Sequence, residues 1–234
     1  MQHKQLKAIL SNSRLESLWV AGGDRCVDLI RGNTGSLSGV VKSVPALSAT
    51  RKSGVGYVFD GTNDYISMTE VAMTGAYTLF AWVYRESTVS ALDPIIGHST
   101  ETGVLGLTYG GTYGCGIYGA GALYGESTGR VRFIAANAGN ADEGLSETDS
   151  LWNFIAVTRD ASNKVDGYVN GSAATRLFAN VAQTGTLKIN RIGTDGTNYF
   201  KLYAGIWGCA KRAMSKAELA NIHLQTKSMF YPRG

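Results

Sequence analysis

Chemistry in this chain has to come from few side chains. Its 234 residues include 18 acidic and 22 basic residues, three histidines and three cysteines. Cleaving a glycosidic bond takes two carboxylates held on either side of it. The acidic candidates Asp142, Glu143, Glu147 and Asp149 fall in one polar stretch, 138–150, which reads as a solvated loop. His3, His98 and His223 have no metal-ligand spacing, and no Ser-His-Asp set can be assembled around them. Hydrogen-bonding or packing roles are expected for His98, after a strand, and His223, on a C-terminal helix. Cys26, Cys115 and Cys209 are an odd count with no C-x-x-C pair, which predicts buried free thiols of a reducing compartment. No residue is therefore assigned a catalytic role. The chemistry that remains is recognition. Tyr109, Tyr113, Tyr118 and Tyr124 stand among nine glycines in 103–126. A tyrosine offers a flat apolar face and a hydroxyl, which suits sugar stacking or a protein interface. Packing within a sandwich core is the alternative for the same four residues.

These side chains must be carried by strands. Gly56–Met68 reads as strand, loop, strand: Tyr57, Val58 and Phe59 are β formers, 60–64 is DGTND, and Tyr65, Ile66 and Met68 resume. Tyr77–Arg85 is a short apolar run rich in aromatic and β-branched residues, predicted to be a central strand buried on both faces. Further strands are predicted at 15–20, 131–136, 151–160, 164–171, 186–193 and 200–210, with turn signals between them. That spacing is typical of an all-β sandwich. Phe80, Trp82, Ile155, Val157, Tyr168 and Ile192 are core candidates. Residues 28–39, DLIRGNTGSLSG, read as an irregular loop. One helix has a start signal: Ser215-Lys-Ala-Glu218 is a capping box, with Met214 and Leu219 placed as a hydrophobic staple, predicting a helix over about 216–224. Residues 227–234 read as an extended tail. The domain reading is an N-terminal arm over 1–13, a sandwich over 14–213, and a capped helix and tail over 214–234.

Composition narrows the class. There are 30 glycines and 3 prolines. The net charge is +4, and 17% of residues are charged against about 25% in an average domain, which excludes a disordered chain. The pI is near 8.9, but the basic residues form no cluster, so no nucleic-acid partner is expected. No apolar run approaches the roughly 18 residues of a membrane span, so no membrane partner is expected either. The N-terminus has Lys4, Lys7, Arg14 and Glu16 and no continuous apolar segment, and does not read as a signal peptide.

Several motifs, taken in order, resemble one family. Phe59-Asp-Gly-Thr-Asn-Asp-Tyr65-Ile66 resembles the FDGxxDYV segment of laminin-G-like, concanavalin A-like jelly rolls. Tyr77–Val83 resembles the strand that follows it there. Trp152–Asp160 and Val165–Gly171 resemble the family's WHHVAVTYD…LYVNG hairpin. Gly193, Asn198, Tyr199 and Phe200 sit where the family carries IGR…YFxGxIDEVRIY, and Asp28-Leu29 with Gly32–Gly35 resemble its early DLSGNGNxG loop. The resemblance implies an antiparallel two-sheet jelly roll with a short C-terminal helix. It also implies a calcium site built on Asp28, Asn33, Asp60, Asn63 and Asp64, all on the loops that correspond to those of calcium-binding relatives. One departure bears on that site: where the family has an acidic pair in its late strand, this chain has Leu202-Tyr-Ala-Gly205-Ile-Trp-Gly208. The expectation is therefore no tightly bound calcium and no other cofactor. The family's glycosidases carry an E-x-D-x-E-like strand, which this chain lacks.

The C-terminal stretch Leu219–Arg233 is similar to the tails of laminin-G-like proteins encoded among tailed-phage virion genes. With the free thiols and no export signal, it implies a non-catalytic virion decoration protein, made in the host cytoplasm, that also binds glycans. Its partners would be other capsid or tail proteins and further copies of itself. An exported carbohydrate-binding or adhesion module is the alternative, and a glycoside hydrolase the third reading. The apolar residues Leu6, Ile9, Leu10, Met229, Phe230 and Tyr231 at the two ends are expected either to attach the chain to an assembly or to dock on their own domain.

Overall fold

Tyr77–Tyr84 and Trp152–Arg159 bury every side chain on both faces. A strand can do that only in the middle layer of three. The computed structural model describes residues 6, 10, 13–21, 25–39, 42–44, 56–84, 92–99, 117–120, 130–133, 145–146, 152–172, 175–177, 186–194, 199 and 203–231. Of these, 42–44, 92–94, 117–120, 130–133, 145–146 and 175–177 are described by backbone alone.

Sixteen strands occur among the described residues: β1 Ser17–Ala21, β2 Cys26–Asp28, β3 Thr34–Ser38, β4 Lys42–Val44, β5 Gly56–Val58, β6 Tyr65–Thr74, β7 Tyr77–Tyr84, β8 Leu92–Gly97, β9 Ile117–Ala120, β10 Arg130–Phe133, β11 Leu145–Ser146, β12 Trp152–Arg159, β13 Val165–Val169, β14 Thr175–Leu177, β15 Thr186–Ile192 and β16 Tyr203–Ala210. One helix, α1 Lys216–Lys227, follows. One layer runs β11-β10-β9-β8-β15-β6-β3 and the other β2-β1-β16-β7-β12-β13-β14, all antiparallel, with β4 and β5 beside β16. β3 pairs with β2 of one layer and β6 of the other, so the sheet curls over itself as a single hydrogen-bonded path. The all-β antiparallel sandwich expected from the sequence is what the chain forms.

Two cores result. The first lies between the layers and contains Trp19, Tyr57, Phe59, Ile66, Val71, Leu79, Ile155, Val157, Ile192 and Trp207. The second lies on the outer face of the second layer, where Phe80, Trp82, Tyr84, Trp152, Phe154 and Tyr168 meet Met214, Leu219, Ile222 and Phe230. Strand side chains alternate between the two. All six core candidates, Phe80, Trp82, Ile155, Val157, Tyr168 and Ile192, are buried. Close approach across the sheet needs Gly208: a Cβ there would lie 2.6 Å from the Phe80 ring and 2.9 Å from the Ser17 carbonyl.

The capping box holds. The Glu218 amide donates to Ser215 Oγ (3.3 Å), and the Ser215 amide donates to Glu218 Oε2 (2.8 Å). Met214 and Leu219 are both buried. The helix runs three residues past its expected end because Thr226 is held by the docking. Trp82 Nε1 donates to Thr226 Oγ1 (2.8 Å), which itself donates to the Ile222 carbonyl (2.7 Å).

Two sequence expectations need correction. Residues 34–38 are strand β3 and not irregular loop: their partners on both sides supply the ladder that their composition does not advertise. The tail is not extended. The Phe230 and Tyr231 amides both donate to the Lys227 carbonyl, and the chain turns back so that the Phe230 ring stacks on Trp82, centroids 4.5 Å apart. The Tyr231 hydroxyl donates to the Trp152 carbonyl. At the other end Leu6 and Leu10 are buried in the second core. For these residues, docking on their own domain, one of the two arrangements expected, is the one found.

Candidate functional site

The loop residues Asp28, Asn33, Asp60, Asn63 and Asp64 are divided by β3. Asp28 faces its N-terminal end, where Val27 pairs with Thr34 and the Asp28 amide donates to the Asn33 carbonyl. Asp64 faces its C-terminal end, where Ser38 pairs with Tyr65. At about 3.4 Å per residue, the steps from Asn33 to Gly39 put these loops roughly 20 Å apart. Each carboxylate serves backbone amides nearby. Asp28 Oδ1 accepts from Leu18 (3.1 Å), Ile30 (2.9 Å) and Arg31 (3.2 Å). Asp60 Oδ1 accepts from Thr62 (2.7 Å), and Asp64 Oδ2 accepts from Asp60 (3.0 Å). These are turn-forming bonds of the kind Asp favours. Among the described residues no three His, Cys, Asp or Glu side chains gather as a metal-binding group. The five residues therefore do not fit one calcium site.

Tyr109, Tyr113 and Tyr124 lie outside the described residues. Tyr118 is described by backbone only, in β9, paired with Arg132 and with Pro94.

Another group comes together on the outer face of the first layer. Strand register aligns Ser36 with Ser67, Ser67 with Arg191, and Arg191 with Gly97, one row across β3, β6, β15 and β8. Directly opposed residues share a face. The neighbouring row, Leu37, Ile66, Ile192 and Ile96, points the other way into the core. One row further along, Ser38 opposes Tyr65. The Arg191 guanidinium lies over the Tyr65 ring, 4.4 Å from its centroid, and donates to Ser67 Oγ. The Ser38 hydroxyl first, and Arg191 second, hold the Tyr65 phenol below its ordinary value. Tyr199 approaches from the connection after β15, its ring 6.4 Å from Tyr65 and tilted by 43°. The result is two aromatic rings, a cation and three serine hydroxyls on a half-exposed surface.

Beside this row His98 is buried, and its Nε2 lies 3.0 Å from Glu70 Oε2. Asn190 Nδ2 donates to Ser99 Oγ (3.1 Å), and the Ser99 amide donates to Asn190 Oδ1 (3.0 Å). The serine hydroxyl next to His98 is thus engaged by an amide. Glu70 is the one carboxylate among the described side chains of β3, β6, β8 and β15. It is exposed there because β6 bulges between Val71 and Ser67, opposite Asn190. His223 is packed between the rings of Trp82 (5.3 Å) and Phe154 (5.8 Å), and burial, with Lys227 second, lowers its pKa. Cys26 and Cys209 are buried free thiols, and burial pushes Cys209 up to about 12. The roles expected for these histidines and for these two cysteines hold.

A laminin-G family model, described as the concanavalin A-like lectin/glucanases superfamily, matches residues 60–206, more than half of the chain. The chain belongs to this superfamily. No curated protein sequence matches it. Solved structures share the superfamily's sandwich at low identity. Domain 4 of AbnA, a GH43 extracellular arabinanase from Geobacillus stearothermophilus, in complex with arabinotriose, matches with a TM-score of 0.61 and 11% identity, over 90% of this chain and 98% of that one. A Trypanosoma rangeli sialidase in complex with sialic acid matches with a TM-score of 0.58 and 15% identity, over 94% of this chain and 34% of the sialidase. The receptor binding domain of the botulinum neurotoxin C/D mosaic serotype matches with a TM-score of 0.56 and 13% identity, over 91% and 51%. This chain thus spans about a third of the sialidase.

Sequence reasoning placed Tyr65 on a strand and quoted Tyr199 in a family motif, but assigned neither to a site, and it passed over Arg191, Ser38 and Ser67. The available signal was Tyr65 and Ser67 flanking Ile66 on one strand, and Arg191 next to the core residue Ile192 on another. Which strands pair, and in which register, is what joins the two patterns.

Proposed function

We propose that this superfamily domain is a non-catalytic glycan-binding module, with its site on the Tyr65–Tyr199 surface. The observation that carries the reading is the grouping of two half-exposed tyrosine rings with the Ser36, Ser38 and Ser67 hydroxyls on the outer face of the first layer. Aromatic rings take the apolar face of a pyranose, and hydroxyls exchange hydrogen bonds with its rim. The arabinotriose complex of the arabinanase domain supports the reading. The single described carboxylate of these strands, Glu70, supports binding without turnover, because glycoside hydrolysis takes a pair. A glycan array followed by titration of each hit tests it. Tyr65→Ala and Tyr199→Ala should each weaken a hit by about tenfold. Binding that neither substitution changes would move the site elsewhere, and hydrolysis of a bound glycan would end the non-catalytic reading.

A virion setting is the second part of this proposal. It is supported by the likeness of Leu219–Arg233 to the tails of laminin-G-like phage proteins. With Leu6, Leu10 and Phe230 docked, attachment to a capsid or tail, or to further copies, would use the sandwich itself. Locating the chain on purified particles by imaging separates this from an exported adhesion module.

A further inference from the structure

We propose that the Arg191 surface selects sugars that carry a carboxylate, so that this module recognises acidic glycans; the inference rests on the glycan-binding reading above. Four other cations of the fold have partners. Arg31 and Lys211 meet Glu16, and Arg212 meets Glu218. Arg159 donates to the Gly75 carbonyl and covers Tyr77. No carboxylate among the described residues pairs with Arg191, although it is half-buried on a sheet face. Its Nη1 is spent on Ser67 and its plane rests on Tyr65, which fixes the guanidinium. A guanidinium has five N–H donors, so with Ser67 and the Tyr65 phenol as its partners Arg191 keeps donors that a carboxylate accepts two at a time. A guanidinium oriented before the ligand arrives loses little freedom on binding.

The surroundings suit a sugar acid and not a bare anion. Across the ladder Arg191 is opposed by Gly97, which puts no side chain beside the guanidinium. Ser36 and Ser67 extend the same row. Tyr199 stands beside Tyr65, so a pyranose can lie against the Tyr199 ring while its carboxyl group turns toward Arg191.

Titrating the full chain with 3′-sialyllactose, digalacturonate and lactose, at low and physiological ionic strength, tests this. One or both acidic sugars should bind at least about tenfold more tightly than lactose, as expected for a charge-assisted pair of hydrogen bonds, with a preference that shrinks as salt rises. Arg191→Gln should bring the acidic sugars down to the level of lactose. Arg191→Lys, which keeps the charge but not the fork, should lose most of the preference; it serves as the second variant if Arg191→Gln does not fold. Equal binding of lactose and both acids overturns the inference, as does a preference that survives both variants. If neutral glycans bind on the array and neither acid does, this inference fails and the glycan reading stands. If no glycan binds in either experiment, both fail.

Discussion

Replacing Phe230 by alanine separates a tail that belongs to the core from one that is free to attach elsewhere. The Phe230 ring is 1% exposed. It stacks on Trp82 at 4.5 Å and lies 4.7 Å from Trp152. Burial of a phenylalanine is worth about 1.5–3 kcal/mol, and each aromatic pair adds roughly 0.5–1.5 kcal/mol. The sum, about 2.5–6 kcal/mol, brackets the range of about 3–5 kcal/mol measured for Phe→Ala in cores. Its place one turn beyond α1 lets the last residues rearrange, so the lower half of the range, about 3–4 kcal/mol, is expected. For 234 residues the unfolding entropy is about 0.5 kcal/mol per kelvin, so the Tm should fall by roughly 6–8 °C. Scanning calorimetry with near-ultraviolet circular dichroism reads this directly, because four of the rings involved, Trp82, Trp152, Phe230 and Tyr231, share one cluster. A loss below about 1 kcal/mol, the size of an ordinary surface change, would refute the reasoning and return the tail to the role of an attachment arm.

Three further outcomes are expected. Burial, then Lys227, depresses the His223 pKa below the ordinary 6.5, so its contribution is complete above that value and is lost as pH falls below it, when the unfolded chain protonates first. Urea midpoints at about pH 7.5 and about pH 5.5 should drop less for His223→Gln than for the parent, and an equal drop would discount the group. Gly208→Ala should cost about 1–3 kcal/mol through overpacking against Phe80 and the Ser17 carbonyl; an unchanged denaturation midpoint would mean that the strands separate more easily than the geometry implies. Chelation with EDTA should shift the Tm by less than about 1 °C, because the loop carboxylates are bonded to backbone amides on opposite ends of β3; a larger fall, restored by calcium, would show a metal that binds the folded state.

The strands most legible in the sequence are those buried on both sides. β7 and β12 are eight-residue strands, mostly apolar and aromatic, and no solvent-facing position interrupts them. β3 was illegible because TGSLS has no run of β formers. Its glycine at 35 is needed for clearance, since a Cβ there would come within 3.0 Å of Ile66, and its strand character comes from neighbours distant in sequence. The candidate surface failed to show for the same reason. Arg191 and Ser67 are 124 residues apart, and only the register of β15 on β6 makes them adjacent. The capping box was legible because its chemistry is local to four residues. The tail was misread because its fate depends on Trp82 and Trp152, whose outward faces need a cover that the sequence does not name.

Leu6, Leu10 and the α1–Phe230 segment all pack behind the second layer, on the side of the molecule away from Tyr65 and Arg191. This gives the molecule a front and a back. A support that gripped α1 would hold the molecule by its back, and the tyrosine–arginine face would look outward. Copies fixed in this way on one support would present their faces in parallel, so weak single contacts could add to a strong collective hold without any change in the domain itself.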